Sequence, residues 1–278
     1  LEDLKAPGLN FAGLQGVLEN GEMQPGGWAN LTWFRQACLR DAQARLGNRL
    51  SLHFSAPVTG VDVLLAQGFD AVLVTTGHAS LLPEALWLNL TPISGQVSYF
   101  ELDAIASAAD RRRIVSMLPE CVVCEEGTLT PRVDNNFYIG SSFHRGMNQA
   151  QVRPEDHQQN LARLAQFKPE LAQALTPYLG HAKAWTGVRH ATRDRLVHLG
   201  LPVRPNHSLG RSVSRLEQLP RWQGVYCLLG LGSRGLSTAP WAAECLVKAI
   251  LGEPLTEPAR LFRAIDPARF VLRNHVRA

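Results

Sequence analysis

The stretch that decides the fold is Val225-Tyr226-Cys227-Leu228-Leu229-Gly230-Leu231-Gly232-Ser233-Arg234-Gly235-Leu236. Its first five residues are apolar or aromatic, which predicts a buried strand, and the glycines after them predict a tight turn. The turn leads into a predicted helix from Ser237 to Leu251. Gly230, Gly232 and Gly235 also match the spacing G-x-G-x-x-G, the fingerprint of dinucleotide-binding folds.

A dinucleotide fold continues from that fingerprint with a second strand and an acidic residue about 20 positions on. Here the predicted helix stops at Gly252-Glu253-Pro254 and an Arg-rich tail follows, so we reject a complete Rossmann unit at this point. The helix N-terminus, with unpaired N–H groups and a partial positive charge, suits an electron-rich group of a cofactor or substrate. A glycine-lined turn without a ligand explains the motif equally well.

Two earlier segments predict the rest of an α/β layer. Leu31 to Leu46 has apolar residues near helical spacing, and Leu50 to Phe54 is typical of a strand. The apolar run from Phe69 to Gly77 predicts a strand buried on both faces, as parallel strands are. A ligand would then lie at the carboxyl ends of the strands, near Thr76 and Gly77.

From Thr91 the pattern changes to short strands separated by turn residues, which predicts an antiparallel sheet. The predicted strands are Ile93–Phe100, Cys121–Glu125, Thr128–Pro131, Asn136–Phe143 and Lys183–Val188, and the predicted helices are Pro154–Phe167 and Pro169–Tyr178. The expected fold class is therefore α/β, an incomplete Rossmann-like layer with an inserted antiparallel-sheet α+β domain. We expect the layer in residues 1–90 and again in 187–278, and the inserted domain in residues 91–186.

Composition places the chain among globular proteins. It has 278 residues, 45% of them hydrophobic, with no apolar run long enough to span a bilayer and no signal peptide at Leu1, so we expect a cytoplasmic protein. The five cysteines are odd in number, which favours buried free thiols over disulfides. Cys121-Val122-Val123-Cys124 has the spacing of redox and zinc sites, but it has no second pair, and a core strand is the favoured interpretation.

The C-terminal third is strongly basic. Residues 181–278 contain 15 Arg and Lys against 6 Asp and Glu, a net charge of +9 in a chain of net +4. Such an excess indicates a polyanionic partner such as nucleic acid. The alternative is a solvated helix face in an Arg-preferring proteome, since 24 of the 28 basic residues are Arg.

Hydrolase and metalloenzyme motifs are absent from the sequence, and His144, His190 and His198 carry no assignment, since a lone histidine is more often structural. Arg189 is the candidate substrate-binding residue because it ends a predicted strand where the chain re-enters the α/β layer. A guanidinium there can hold a carboxylate with two parallel hydrogen bonds. A salt bridge from Arg189 to Asp194 is the alternative.

Five segments together resemble one family. They are Pro25-Gly26-Gly27-Trp28, Ile93-Ser94-Gly95-Gln96-Val97-Ser98, Tyr138-Ile139-Gly140-Ser141-Ser142-Phe143-His144-Arg145-Gly146, Gly187-Val188-Arg189-His190-Ala191-Thr192-Arg193-Asp194 and Leu231-Gly232-Ser233-Arg234-Gly235-Leu236. The chain resembles, from about Gly21 to Arg277, the C-terminal FAD-dependent oxidoreductase region of bifunctional tRNA 5-methylaminomethyl-2-thiouridine biosynthesis proteins, in the D-amino-acid oxidase and glycine oxidase superfamily.

The resemblance implies a reaction and a partner. The family's enzymes remove the carboxymethyl part of 5-carboxymethylaminomethyluridine at the tRNA wobble position as glyoxylate, and a methyltransferase domain, fused or in trans, methylates the aminomethyl product. The resemblance also assigns residues. Arg189 would hold the substrate carboxylate, the turn Gly232-Ser233-Arg234-Gly235-Leu236 would face the flavin, Val58 would contact adenine, and Thr76-Gly77 would line the cofactor.

One part of the family pattern is not found. The family's N-terminal FAD strand, its pyrophosphate loop and its ribose-binding acidic residue should precede Leu1. We therefore expect the chain to be part of a longer protein and to bind FAD weakly or not at all by itself. Two alternatives stay open: a flavin oxidase of free glycine or sarcosine-like amines, and a non-catalytic tRNA-binding module.

Overall fold

The computed structural model describes residues 9–10, 16–17, 23–24, 28–29, 31–78, 82, 88–204 and 212–277. The backbone forms two compact units. Unit 1 comprises Leu1–Ser55, Gly95–Phe143 and Gln151–Thr186, and unit 2 comprises Ala56–Ser94, His144–Ala150 and Gly187–Ala278. The expected functional boundaries at residues 90 and 186 stay a prediction. The motif segment Pro25-Gly26-Gly27 lies outside the described residues.

Unit 1 begins with four two-residue strands and a long helix. The strands β1 (Leu9–Asn10) and β4 (Trp28–Ala29) pair antiparallel, as do β2 (Gly16–Val17) and β3 (Met23–Gln24), and α1 spans Leu31–Leu46 as predicted. The predicted strand from Leu50 to Phe54 is wrong. A strand needs a neighbouring ladder to bond with, and this segment has none among the described residues, with Phe54 78% exposed.

The sheet of unit 1 is antiparallel, as predicted. Its strands are β6 (Leu90–Glu101, which starts in unit 2), β7 (Val123–Cys124), β8 (Thr128–Leu129) and β9 (Asn136–Gly140), in the order β6-β9-β8-β7. Every second residue of β6 from Ser94 to Phe100 is buried, which is the alternation of a sheet with one covered face.

Three helices cover that face of unit 1. They are α3 (Ala108–Met117), α4 (Pro154–Phe167) and α5 (Pro169–Leu175), followed by a 3-10 turn from Thr176 to His181. The prediction for α4 matches its bounds, with a proline at its start and two acidic residues in its first turn, where the helix dipole favours them. The core between sheet and helices contains Phe100, Phe137, Ile139, Leu164 and Leu175.

Unit 2 contains a three-stranded sheet in the order β12-β13-β5. Its strands are β5 (Val72–Val74), β12 (His198–Gly200) and β13 (Val225–Leu229), and its helices are α2 (Val61–Ala66), α6 (Gly235–Leu251), α7 (Ala259–Ile265) and α8 (Arg269–Arg277). β13 has the predicted bounds and runs parallel to β5. The prediction that this strand is buried on both faces is wrong, because Leu73 is 46% exposed, whereas Val72 and Val74 are buried.

Two further strands, β10 (His144–Arg145) and β11 (Lys183–Thr192), lie among the described residues. β10 pairs with the first residues of β6, and β11 also pairs with β6 and continues past the predicted end at Val188. No helix among the described residues is long and apolar enough to cross a membrane. All five cysteines are free thiols, but only Cys227 and Cys245 are buried, and Cys124 lies exposed on β7.

Candidate functional site

The parallel pair β5 and β13 places two predicted segments at one edge of the sheet. Cys227 lies opposite Val74, so Thr76-Gly77 and the turn that starts at Gly230 both follow the carboxyl ends of their strands. In α/β sheets this edge is where ligands bind. Gly77 has a φ of +79°, and a Cβ there would meet nothing within 4 Å, so the Gly77 backbone borders open space.

Gly230 and Gly232 are required by the turn itself. Their φ angles are +71° and +57°, a region that favours glycine. A Cβ on Gly230 would lie 2.9 Å from Leu90 Cδ2 and 2.9 Å from Thr192 Cγ2. A side chain at position 230 would therefore collide with its neighbours.

The end of β11 holds the glycine turn. The Gly232 N–H donates to the His190 carbonyl at 3.1 Å, and Ala191 forms an antiparallel bridge with Leu231. The strand that carries Arg189 is thereby fixed against the turn that leads into α6. This link between two predicted site segments is not visible in the sequence, because 40 residues separate the two partners of the bridge.

The first turn of α6 carries no acidic side chain and has Arg234 at its N-cap. Ser233, Arg234 and Leu236 are exposed, so the N–H groups of this end are not covered by their own side chains. Together with the partial positive charge of a helix N-terminus, this arrangement suits an anionic or electron-rich group.

Arg189 is half-buried on β11, and burial lowers the pKa of its guanidinium. Its neighbour His190 points to the other side of the strand, where its ring lies 5.7 Å from that of His78 in an edge-on contact. Burial, and then the nearby His78, lower the pKa of His190, so this imidazole is neutral near pH 7. Arg189 thus offers a cation on one side of β11, and the ring contact between His190 and His78 lies on the other.

Asp194, the alternative partner proposed for Arg189, binds arginines of the C-terminal tail. Both carboxylate oxygens of Asp194 accept hydrogen bonds from Arg269, at 2.9 Å each, and Arg273 lies 3.3 Å away. Among the described residues, the tail arginines Arg269 and Arg273 thus form ion pairs with Asp194. The sequence does not indicate this role of Arg269, because its partner Asp194 lies 75 residues away in the chain.

Val58 and Thr76, the remaining predicted residues, also lie in unit 2. Val58 is half-buried shortly before α2, which packs against β5, and Thr76 donates its hydroxyl to the carbonyl of His78. His78 was not predicted, although it directly follows Thr76-Gly77 in the sequence. Among the described residues no group of three or more His, Cys, Asp or Glu is arranged to hold a metal ion.

Comparisons with known proteins show the family to which the chain belongs. The family of FAD dependent oxidoreductases matches residues 11–249. The bifunctional tRNA 5-methylaminomethyl-2-thiouridine biosynthesis protein MnmC of Azoarcus sp. (strain BH72) is 33% identical over 258 residues, 89% of this chain and 39% of that protein. Its counterpart from Aeromonas salmonicida (strain A449) is 31% identical over 269 residues, 90% of this chain and 38% of that protein. The chain thus spans about two fifths of the length of these relatives.

Among solved structures, glycine oxidase from Geobacillus kaustophilus overlaps 72% of this chain and 45% of its own, with a TM-score of 0.48 and 16% identity. Iminodiacetate oxidase from Chelativorans sp. BNC1 overlaps 71% of this chain and 46% of its own, with a TM-score of 0.49 and 21% identity.

Proposed function

The chain belongs to the family of FAD-dependent oxidoreductases, and from this premise we propose that it is the oxidoreductase part of a tRNA-modifying enzyme. The proposed substrate is the 5-carboxymethylaminomethyl group of the wobble uridine. Oxidation of its glycyl CH2–NH unit gives an imine, and water then releases glyoxylate and leaves the aminomethyl group. The names of the curated relatives support the tRNA substrate.

The observation that carries this proposal is the attachment of the Arg189 strand to the glycine turn before α6. The Gly232 N–H donates to the carbonyl of His190, the residue after Arg189. This hydrogen bond supports the proposal because it attaches the strand of Arg189, the proposed carboxylate-binding residue, to the turn before the helix N-terminus proposed to face the flavin. Orientation of this kind accounts for much of the rate enhancement in hydride transfer from a bound amine.

The residues of unit 2 fit FAD at this edge of the sheet. Gly77 presents bare backbone to open space, and the turn from Gly232 to Leu236 presents N–H groups without a competing acidic side chain. Bound FAD supplies a hydride acceptor. The backbone donors at the start of α6 favour negative charge on a nearby ring, and Val58 and Thr76 complete the proposed contacts.

Arg189 has the task of binding and orienting the substrate. The substrate group is in effect an N-substituted glycine, and its carboxylate matches the two parallel N–H groups of a guanidinium. Half-burial strengthens this contact because the charges are less screened by water. Burial lowers the pKa of His190, so the residue next to Arg189 adds no second positive charge near pH 7.

The proposed partners follow from the relatives. These proteins are bifunctional and extend well beyond the region that the chain matches, so we propose a methyltransferase domain, fused or in trans, that acts on the aminomethyl product. We place the reaction in the cytoplasm, where tRNA is found.

The test is a glyoxylate assay on tRNA that carries the carboxymethylaminomethyl group. The flavin content of the purified chain is measured first, by its visible spectrum after mixing with FAD and desalting. We expect Arg189→Leu to abolish glyoxylate release at unchanged flavin content, and Arg189→Lys to retain a small fraction because a single ammonium replaces the planar fork. Oxidation of free glycine or sarcosine with no activity on tRNA would overturn the proposal in favour of a small-amine oxidase.

A further inference from the structure

The face of the unit 1 sheet opposite the helices α3, α4 and α5 carries tyrosines from two neighbouring strands. Phe100 on β6 and Phe137 and Ile139 on β9 point into the core, so the residues between them point outward. Tyr99 and Tyr138 are those outward residues, and they lie directly opposite each other in the strand register. Their ring centroids are 5.4 Å apart with planes inclined by 33°, and both side chains are half-buried.

A third aromatic side chain lies on the same face. Lys183 on β11 donates from Nζ to Glu101 Oε1 at 2.6 Å, and Glu101 shares the outward side of β6 with Tyr99 because it is two residues away. Trp185, two residues after Lys183 on the same strand, shares that side as well. Tyr99, Tyr138 and Trp185 are named here the aromatic face.

Trp185 is the exposed member of the aromatic face, whereas Tyr99 and Tyr138 are half-buried. A cross-strand tyrosine pair stabilises an antiparallel sheet, which accounts for Tyr99 and Tyr138. It does not account for Trp185, whose large apolar ring is 65% exposed. An exposed tryptophan beside an aromatic pair is typical of a surface that binds a partner.

The charged and polar groups of the aromatic face and its surroundings indicate which kind of ligand it can bind. Lys183 and Glu101 form an ion pair at this face and neutralise each other, so neither charge is available to hold a phosphate strongly. Burial, then Tyr99 and Asp134, raise the pKa of the Tyr138 hydroxyl, which therefore remains an uncharged hydrogen-bond donor. A flat, weakly charged ligand with polar edges fits these properties, and an unpaired nucleobase is such a ligand.

We propose that the aromatic face binds an unpaired base of the RNA substrate by stacking on Trp185 and the Tyr99–Tyr138 pair. This inference rests on the proposed function, because it takes RNA as the substrate class. It adds the residues that distinguish a nucleic-acid substrate from a free amino acid. Aromatic side chains on one face of an antiparallel sheet are a recurrent way of holding single-stranded bases.

The test compares Trp185→Ala with Phe54→Ala in the full 278-residue chain. Phe54 is a matched control, since it is an aromatic residue of unit 1 that is 78% exposed but lies off the sheet. The probes are an RNA anticodon stem–loop with uridine at the wobble position and the same loop with an abasic wobble nucleotide, at fixed salt. Because stacking is strong relative to thermal energy, we expect Trp185→Ala to weaken binding of the uridine loop about 10-fold. Phe54→Ala should leave it unchanged, and Trp185→Phe should restore most of it.

The abasic loop separates stacking from other effects. Wild-type protein should bind it about 10-fold more weakly than the uridine loop, and Trp185→Ala should then cause little further loss, since both changes remove one contact. Equal affinity of wild type and Trp185→Ala for the uridine loop would overturn the proposal, as would no RNA binding by the wild type. A change in oligomeric state without a change in RNA affinity would also overturn it and assign the face to a second copy of the chain.

The outcome is separable from that of the glyoxylate assay. If the protein releases glyoxylate from tRNA and Trp185→Ala binds RNA as tightly as wild type, the proposed reaction stands and the proposed role of the aromatic face is refuted. If RNA binding depends on Trp185 but no glyoxylate is released, the proposed reaction is refuted and the proposed role of the aromatic face stands.

Discussion

Arg269 is the residue that most clearly changes the interpretation of the basic C-terminal third. Its side chain is only 3% exposed, and it donates to both oxygens of Asp194 and to the carbonyls of Leu196 and Val197. The Asp194 pKa is raised by burial but lowered more by Arg269, to about 2. A charge counted in the sequence as available to a polyanion is thus part of the interior of unit 2.

We expect Arg269→Ala to destabilise the protein by about 3–5 kcal/mol, because it removes the main donor to the partly buried Asp194 carboxylate and to the carbonyls of Leu196 and Val197. Arg263→Ala is the control, since Arg263 pairs with Glu217 at 3.4 Å on the surface, where an ion pair contributes less than about 1 kcal/mol. Urea unfolding of the two variants measures the difference. Similar midpoints for both variants would contradict a structural role for Arg269.

His198 is the second residue whose role the structure assigns. Arg269 donates to its Nδ1 at 2.8 Å, so Nε2 carries the proton and donates to the Leu88 carbonyl at 2.7 Å. Burial, and then the Arg269 charge, lower the His198 pKa to about 4. This histidine is a neutral structural group, as the general preference for lone histidines suggested.

The lowered pKa of His198 predicts a pH dependence of stability. The unfolded chain takes up the proton near pH 6.5 and the folded chain only near pH 4, so the stabilising contribution is complete above 6.5 and declines as the pH falls to about 4. We expect His198→Gln to flatten the pH profile of the unfolding free energy over this window, by up to about 3 kcal/mol. Parallel profiles for wild type and variant would show that other groups cause the decline.

At the scale of elements, the glycine turn between β13 and α6 offers a direct test of why glycine is required. Gly230 and Gly252 have nearly equal φ angles, +71° and +70°, but a Cβ on Gly252 would meet nothing within 4 Å. We expect Gly252→Ala to lose about 1 kcal/mol through backbone strain alone. Gly230→Ala should lose about 1–3 kcal/mol more, because its Cβ would press on Leu90 and Thr192. Thermal unfolding of both variants provides the comparison, and equal losses would show that the close packing at Gly230 is not important.

The helices and strands that could be predicted are those with two agreeing local signals. α1 and β13 combine an apolar pattern with a glycine stop, and α4 combines a proline start with acidic residues in its first turn. The predicted strand at 50–54 failed because its apolar alternation had no partner strand, which is a property of distant residues. β11 was predicted too short for a related reason, since its last residues are held by the turn at Leu231.

At the scale of the whole molecule, the candidate site could be predicted as separate segments but not as a set of contacts. Glycine spacing and strand ends pointed to Gly77, Gly232 and Arg189, because turns and strand termini are local features. The contacts that join them, such as the Ala191–Leu231 bridge and the His78–His190 pair, connect residues far apart in sequence. The roles proposed for these residues remain predictions that the glyoxylate assay tests.

The charge distribution of the whole chain gives the last prediction. Arg221 is paired with Asp266, and Arg269 is paired with Asp194. The positive charges of unit 2 that can contact a polyanion are therefore those of its exposed arginines. Two of them, Arg215 and Arg263, line a recess of about 700 Å³ beside α8, together with Glu217. If the proposed tRNA substrate contacts this surface through its phosphates, each lost contact lowers the salt dependence of binding by about one unit in the slope of log K against log salt.

We therefore expect the double variant Arg215→Ala, Arg263→Ala to bind tRNA more weakly and with a slope reduced by about 1–2. Arg112→Ala, Arg113→Ala is the matched control, since it removes the same charge from exposed positions on α3 in unit 1. Titrations between about 50 and 200 mM salt give both slopes. An equal reduction in the two double variants would mean that net charge alone governs the affinity, because a long-range field does not depend on which exposed arginines are removed. A reduction confined to Arg215 and Arg263 would instead locate the RNA backbone at the recess beside α8.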